Sequence, residues 1–376
     1  MIVLTNAHIV RRDRVLLGTL AMRGALIEAV AEGRSSLGEA LDCEGDFIIP
    51  GLVDVHTDNL ERQVQPRNTA RWPSRSALVA HDAQCAAAGL TTVLDALCVG
   101  DLGFDTGRVQ TYREGFADLD AMAGTGLFKS EHFLHLRCEL PAADMLEQLE
   151  LAIGSARLRM VSMMDHSPGV GQYANIDNYR AMRRRQGLAA DFIERRIEEL
   201  QAQREQCRPL NRRALLARVA GLGIPLASHD DRTEEEIREN VRDGVMVSEF
   251  PVRIEAARAA RAHGMQIVAG APNIVRGGSH SGNVAVAELI GEGVVDALAS
   301  DYVPASLAEA AFMAADLAGI SLPAAVALVT DRPSRLCGLT DRGRIAEGLR
   351  ADLVQVHVHE GLPVVRQVWR AGERVA

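Results

Sequence analysis

FIIPGLVDVHTD, residues 47–58, holds the change of pattern on which the fold turns. Its first four residues close a region of short strand-like segments, MIVLTNAHIV (1–10) and ALIEAVAE (25–32) among them. Its last seven, LVDVHTD, are an apolar run that ends in polar groups and is followed by a helical pattern. That unit recurs as TTVLDAL (91–97), FLHLRCE (133–139), MVSMMDH (160–166), IPLASHD (224–230), VMVSEF (245–250), QIVAGAPN (266–273) and ALASDY (297–302). Helical candidates such as SALVAHDAQCAAAGL (76–90) and EAARAARAHG (255–264) lie between them. Eight strand-then-helix units in series predict an α/β fold, a parallel (β/α)8 barrel of the TIM type. From 351 onward, ADLVQVHVH and VVRQVWRAGERV return to strand patterns.

The longest connection, 167–223, joins the fourth and fifth units. It opens with SPGVGQY and carries Arg183, Arg184, Arg185, Arg195 and Arg196. An insertion of that size on the active face of a barrel is a lid or binding element, or else a solvated helical pair.

The chain has 376 residues, 47% hydrophobic and 24% charged, which excludes disorder as its main character. A net charge of -9 and a pI near 5.7 argue against a nucleic-acid binder. No apolar run is long enough to span a bilayer, and no leader pattern opens the chain, so a cytoplasmic protein without membrane or nucleic-acid partners is expected. Six widely spaced cysteines read as free thiols in a reducing compartment. Lys129 is the only lysine, so any chemistry that needs a lysine has one candidate.

Active groups of such a barrel gather at the carboxyl ends of its strands. His56 and Asp58 end the first unit, Glu139 the third, His166 the fourth and His229 with Asp230 the fifth. Glu249 ends the sixth, Asn273 the seventh and Asp301 the eighth. Imidazoles and carboxylates together are a divalent-metal ligand set. His56 and Asp58 are two apart, so both face one side of a strand. In the third unit Glu139 would lie at the top, with His135 and Arg137 deeper. A single strand histidine such as His135, His263 or His357 is more often a hydrogen-bonded core residue. Four ligand-type residues ending four different strands (His56, His166, His229, Asp301) are hard to explain by packing, because a buried carboxylate needs a partner.

DCEGDFIIPGLVDVHTD (42–58) resembles the segment that leads into the first barrel strand of the amidohydrolase superfamily, and GRIAEGLRADLV (343–354) resembles its closing β-arm. The resemblance spans almost the whole chain. It implies a metal-dependent barrel, residues 51–344, and a small β-sandwich domain built from residues 1–50 and 345–376. It also implies a metal-bound hydroxide as nucleophile and Asp301 as proton acceptor. HTDNLERQVQPR (56–67), AHDAQCAAAGLTTVLDAL (80–97), GAPNIVRGGSHSGNV (270–284) and ALASDYVPASL (297–307) are similar to the phosphonate-utilisation branch of that superfamily. That implies a ribose triphosphate phosphonate as substrate, attacked by water at the phosphorus nearest the ribose with pyrophosphate leaving.

The implied metal ligands are His56, Asp58, Glu139, His166, His229 and Asp301, holding one or two divalent ions. Zinc is the default, with manganese or iron compatible. His-x-Asp in the first unit departs from the superfamily's usual His-x-His, which leaves open whether Asp58 binds metal. Glu139 is preferred to Lys129 as a bridging group. Arg276, Gly277, Gly278, Ser279, His280, Ser281 and Asn283 form the expected phosphate-binding loop, the glycines allowing backbone N–H groups to approach phosphate. The rival readings are an amidohydrolase that cleaves a C–N bond and a scaffold subunit with a degraded site. A homodimer is the default assembly.

Overall fold

The structure is a computed structural model that describes residues 1–67, 70–103, 107–279 and 282–376. Eight consecutive strands form the barrel: β6 (Leu52–Thr57), β7 (Leu90–Val99), β8 (Glu131–Glu139), β9 (Leu158–Met164), β10 (Leu226–His229), β11 (Val247–Glu249), β12 (Gln266–Gly270) and β13 (Ala297–Ala299). Each pairs in parallel with the next in chain order. The seam between β6 and β13 closes just beyond the strand ends. There Asp301 N–H donates to His56 O at 3.0 Å and Asp58 N–H donates to Asp301 O at 3.0 Å.

A strand covered on both faces has no reason to alternate, and all ten residues of β7 are buried. Inside the barrel Val55, Leu94, Met160, Ala227, Val247 and Val268, one from each of six strands, pack on one another. The interior is therefore filled, and reactive groups have room only at its rim.

The terminal arms contribute β1 (Ile2–Val10), β2 (Val15–Arg23), β3 (Leu26–Glu32), β4 (Leu41–Asp42), β5 (Phe47–Pro50), β14 (Leu353–His359), β15 (Leu362–Arg370) and β16 (Glu373–Arg374). They form a second, mixed sheet in the order β16-β15-β14-β5-β1-β2-β3, with β4 on β1. Its own core includes Leu4, Ile9, Leu20, Ile48, Leu353 and Trp369. This is the small sandwich implied above, and the antiparallel pair β5–β14 is where its two halves meet. Gly51 separates β5 from β6. A Cβ there would lie 2.2 Å from Thr91 Oγ1, so the crossing from sheet to barrel admits no side chain.

Between β9 and β10 the chain forms the helices Ile176–Arg185 and Ala190–Val219. The first is capped by Asn175, whose side chain accepts from the N–H groups of Asp177 and Asn178. Tyr179, Ile193 and Ile197 pack the pair together. Among the described residues no helix is long and apolar enough to cross a membrane. All six cysteines are free.

Candidate active site

A cavity of about 910 Å³ opens at the carboxyl ends of the barrel strands. Asp58, Glu139, His166, His229 and Asp301 lie on its wall. His56 is fully buried. Three non-glycine residues at this rim, Asp230, Phe250 and Asp301, hold positive φ of 57°, 53° and 56°. Such conformations cost energy and persist where the surroundings enforce them, as at functional sites.

Glu249, at the end of β11, ties two of the histidines together. His56 Nδ1 donates to its Oε1 at 2.8 Å and His229 Nδ1 to its Oε2 at 3.0 Å. The rings are nearly parallel, with centroids 5.9 Å apart. With both Nδ1 atoms engaged, each ring presents Nε2, and His56 Nε2 is buried without a hydrogen-bond partner. Burial lowers the pKa of His56 and keeps it neutral, the form that ligates metal. Burial works against charge on His229 as well, yet Asp230 and Glu249 hold its pKa above the ordinary value. Ligand atoms of His166, His229 and Asp230 lie within 4.8 Å of one another, as do those of His56, His135 and Glu249. Glu139 accepts from His166 twice, from the backbone N–H at 2.8 Å and from Nδ1 at 2.6 Å. Burial, then the neighbouring Asp58, raise the pKa of Asp301.

Asp58 lies one residue past the end of β6, yet Thr57 between it and His56 is still ladder-paired, His56 O and Asp58 N–H both bonding to Asp301, as the strand spacing of the pair requires. The Asp58 carboxylate accepts from Arg137 NH1 at 3.4 Å. Arg137 lines the cavity as well, its long side chain carrying the guanidinium to Asp58. Several expectations need correction. Gly277 and Gly278 do not offer free amides. Their N–H groups bond to the carbonyls of Ile274 and Asn273 at 3.0 and 2.8 Å, ending the helix Ala271–Val275. Arg276, Ser279 and Asn283 do line the cavity, whereas His280 and Ser281 lie outside the described residues. Asn273 is spent on the loop, accepting from Val286 N–H and donating to Val284 O. Lys129 Nζ donates to Val375 O, at the sandwich.

Comparison with known proteins gives the site its context. The chain is 42% identical over 376 residues to alpha-D-ribose 1-methylphosphonate 5-triphosphate diphosphatase of Escherichia coli (strain K12), covering 99% of this chain and 100% of that one. Residues 214–376 match the family described as Amidohydrolase family. The chain belongs to the amidohydrolases. Two solved structures share its fold. A 5-methylcytosine deaminase from Klebsiella pneumoniae aligns with a TM-score of 0.65 at 16% identity, over 100% of this chain and 98% of the other. N-acetyl-D-glucosamine-6-phosphate deacetylase from Mycobacterium smegmatis aligns with 0.64 at 18%, over 100% of both. At such identities the likeness is one of fold.

This amidohydrolase's own residues fit a divalent ion. The orphaned His56 Nε2 would otherwise carry the cost of an unsatisfied buried polar atom, and the nearby carboxylates supply the hard oxygen donors such an ion takes. Asp230 extends the expected ligand set, and Glu249 orients two of its rings. Their signal was their place at strand ends, shared with His229.

Proposed function

We propose that this chain hydrolyses alpha-D-ribose 1-methylphosphonate 5-triphosphate to the 5-phosphate and pyrophosphate, as a step of phosphonate breakdown in the cytoplasm. The full-length identity to the diphosphatase carries this reading. Residues 1–50 with 345–376 and residues 51–344 are taken as its two domains, and a homodimer as its assembly.

His56, His166, His229, Asp58, Glu139 and Asp301 would hold the metal. When bound, a divalent ion lowers the pKa of water and neutralises charge on phosphoryl oxygen; zinc suits this mixed donor set, and manganese and iron are compatible with it. Glu249 fixes the tautomer and direction of the His56 and His229 rings through its two hydrogen bonds. Asp301 accepts the proton of the attacking water. Its backbone is pinned on both sides by the β6–β13 seam, which sets where the carboxylate stands. Arg276, Ser279 and Asn283 bind the anionic substrate from the wall of the cavity. The insertion supplies further wall through Tyr173, Arg183 and Phe192.

The test is a substrate panel on the metal-loaded protein: the ribose triphosphate phosphonate, nucleoside triphosphates, hydantoins and N-acyl amino acids. Release of pyrophosphate from the phosphonate substrate is expected. Turnover confined to the amides would replace this reading with C–N bond hydrolysis.

A further inference from the structure

Two buried arginines away from the cavity, Arg342 and Arg212, are held by several short hydrogen bonds. Arg342 is 5% exposed. Its NH1 donates to Glu131 at 2.7 Å and Thr92 at 2.9 Å, and its Nε and NH2 to Asp341 at 2.9 and 3.1 Å. Arg212 donates from Nε to Asp243 at 2.7 Å and from NH2 to Asn240 at 3.0 Å.

Two arginines on the cavity wall depart from this. Arg137, on β8, is 6% exposed and reaches Asp58 at only 3.4 Å. Arg108, in the helix Gly107–Met122 that follows β7, reaches Glu61 at only 3.3 Å. Both Nε atoms are buried without a hydrogen-bond partner. Both side chains line the same cavity as Glu139, His166 and Asp301.

The buried Arg137 guanidinium has lost its water without full replacement, which is costly, and Arg108, whose side chain is 30% exposed, carries a buried Nε in the same state. A phosphoryl group offers what is missing, since its oxygens accept two parallel N–H bonds from an arginine fork. β7 and β8 are neighbours, so the two forks come from one side of the barrel. Arg276 follows β12, four strands away from β8 in a ring of eight, and so stands opposite. We infer that Arg108 and Arg137 form a phosphate clamp on the β7–β8 wall, which grips phosphoryl oxygens of the polyphosphate beside the candidate metal centre.

This inference rests on the proposed function, and the experiment separates the two. Binding of inorganic tripolyphosphate and pyrophosphate to the metal-loaded protein is measured by calorimetry for wild type, Arg108→Lys, Arg137→Lys and the double variant. Bound metal and melting temperature are measured alongside. Lysine keeps the charge that Glu61 and Asp58 face, so folding is protected while the fork is lost. Each single variant is expected to weaken tripolyphosphate binding about tenfold, with metal content unchanged and KM for the triphosphate raised more than kcat falls. Unchanged affinity in folded, metal-loaded variants overturns the clamp and leaves the proposed function standing. Loss of metal in step with affinity also overturns it, since the arginines would then only position Asp58 and Glu61. Wild-type protein that binds neither polyphosphate overturns clamp and function together.

Discussion

Two buried clusters of histidine and carboxylate sit in the same barrel, and they differ in what is left over. At the rim, His56 and His229 share Glu249, and His56 Nε2 has no partner. Between the helix Ser74–Ala87 and strands β7 and β8, the second cluster is complete. Asp95 accepts from His81 Nε2 and His132 Nδ1, both at 2.8 Å, and Asp82 accepts from His132 Nε2 at 3.1 Å. Asn59 donates to His81 Nδ1 at 3.0 Å, which closes the last ring nitrogen. Ligand atoms of His81, Asp95 and His132 are as close to one another as those at the rim. Residue type and proximity therefore do not distinguish a reactive site from a structural one. The difference between the two clusters is a ring nitrogen left without a partner, His56 Nε2.

That contrast can be broken in four ways. The largest effect belongs to the rim: Asp301→Ala, which removes the proton acceptor, should cut pyrophosphate release by roughly 10²–10⁴-fold, and His229→Ala, which removes a metal ligand, should abolish it. Melting temperature should barely change, and wild-type turnover would remove the residue from the mechanism. Next, His132→Ala should destabilise the fold by about 3–5 kcal/mol, because it strands Asp82 and Asp95 in the interior. Urea unfolding measures this, and bound metal per folded chain should stay at the wild-type level. Glu249→Gln should weaken metal binding about 10–100-fold, as expected when a partner that orients ligands is changed. A chelator competition titration reads that change, and an unaltered constant would show that the two rings are held by packing alone.

The smallest effect is a pH dependence of the closed cluster. Both nitrogens of His132 face carboxylates. Although burial opposes the charge, Asp95 and Asp82 raise its pKa to about 9. A pKa raised on folding stabilises the native state fully below the unfolded value, near 6.5, and the benefit fades as pH rises through 9. The melting temperature of wild type should accordingly fall between these limits more than that of His132→Gln. Parallel profiles would mean that His132 is neutral in the folded protein.

The barrel was legible because each strand is bounded by polar or glycine residues and followed by a helix-length pattern. The small sheet was legible from the short strand-like segments before residue 50 and from strand patterns returning after residue 351. Strand ends named the neighbourhood of the site, since closure of a barrel brings every strand's carboxyl end to one rim. Partners were not legible. Glu249 carries no mark in the sequence that it spans two imidazoles. The glycines at 277 and 278 look like amide donors until the helix they terminate takes those amides. Nor does the sequence show that Asp58, in phase with His56, meets the Arg137 guanidinium.

The pairing of β5 with β14 has a further consequence during synthesis. A growing polypeptide exposes one open edge of β5 while some three hundred residues are still to be translated. That edge finds its neighbour only when β14 leaves the ribosome. Until then the early sheet presents an edge open to mispairing between nascent chains.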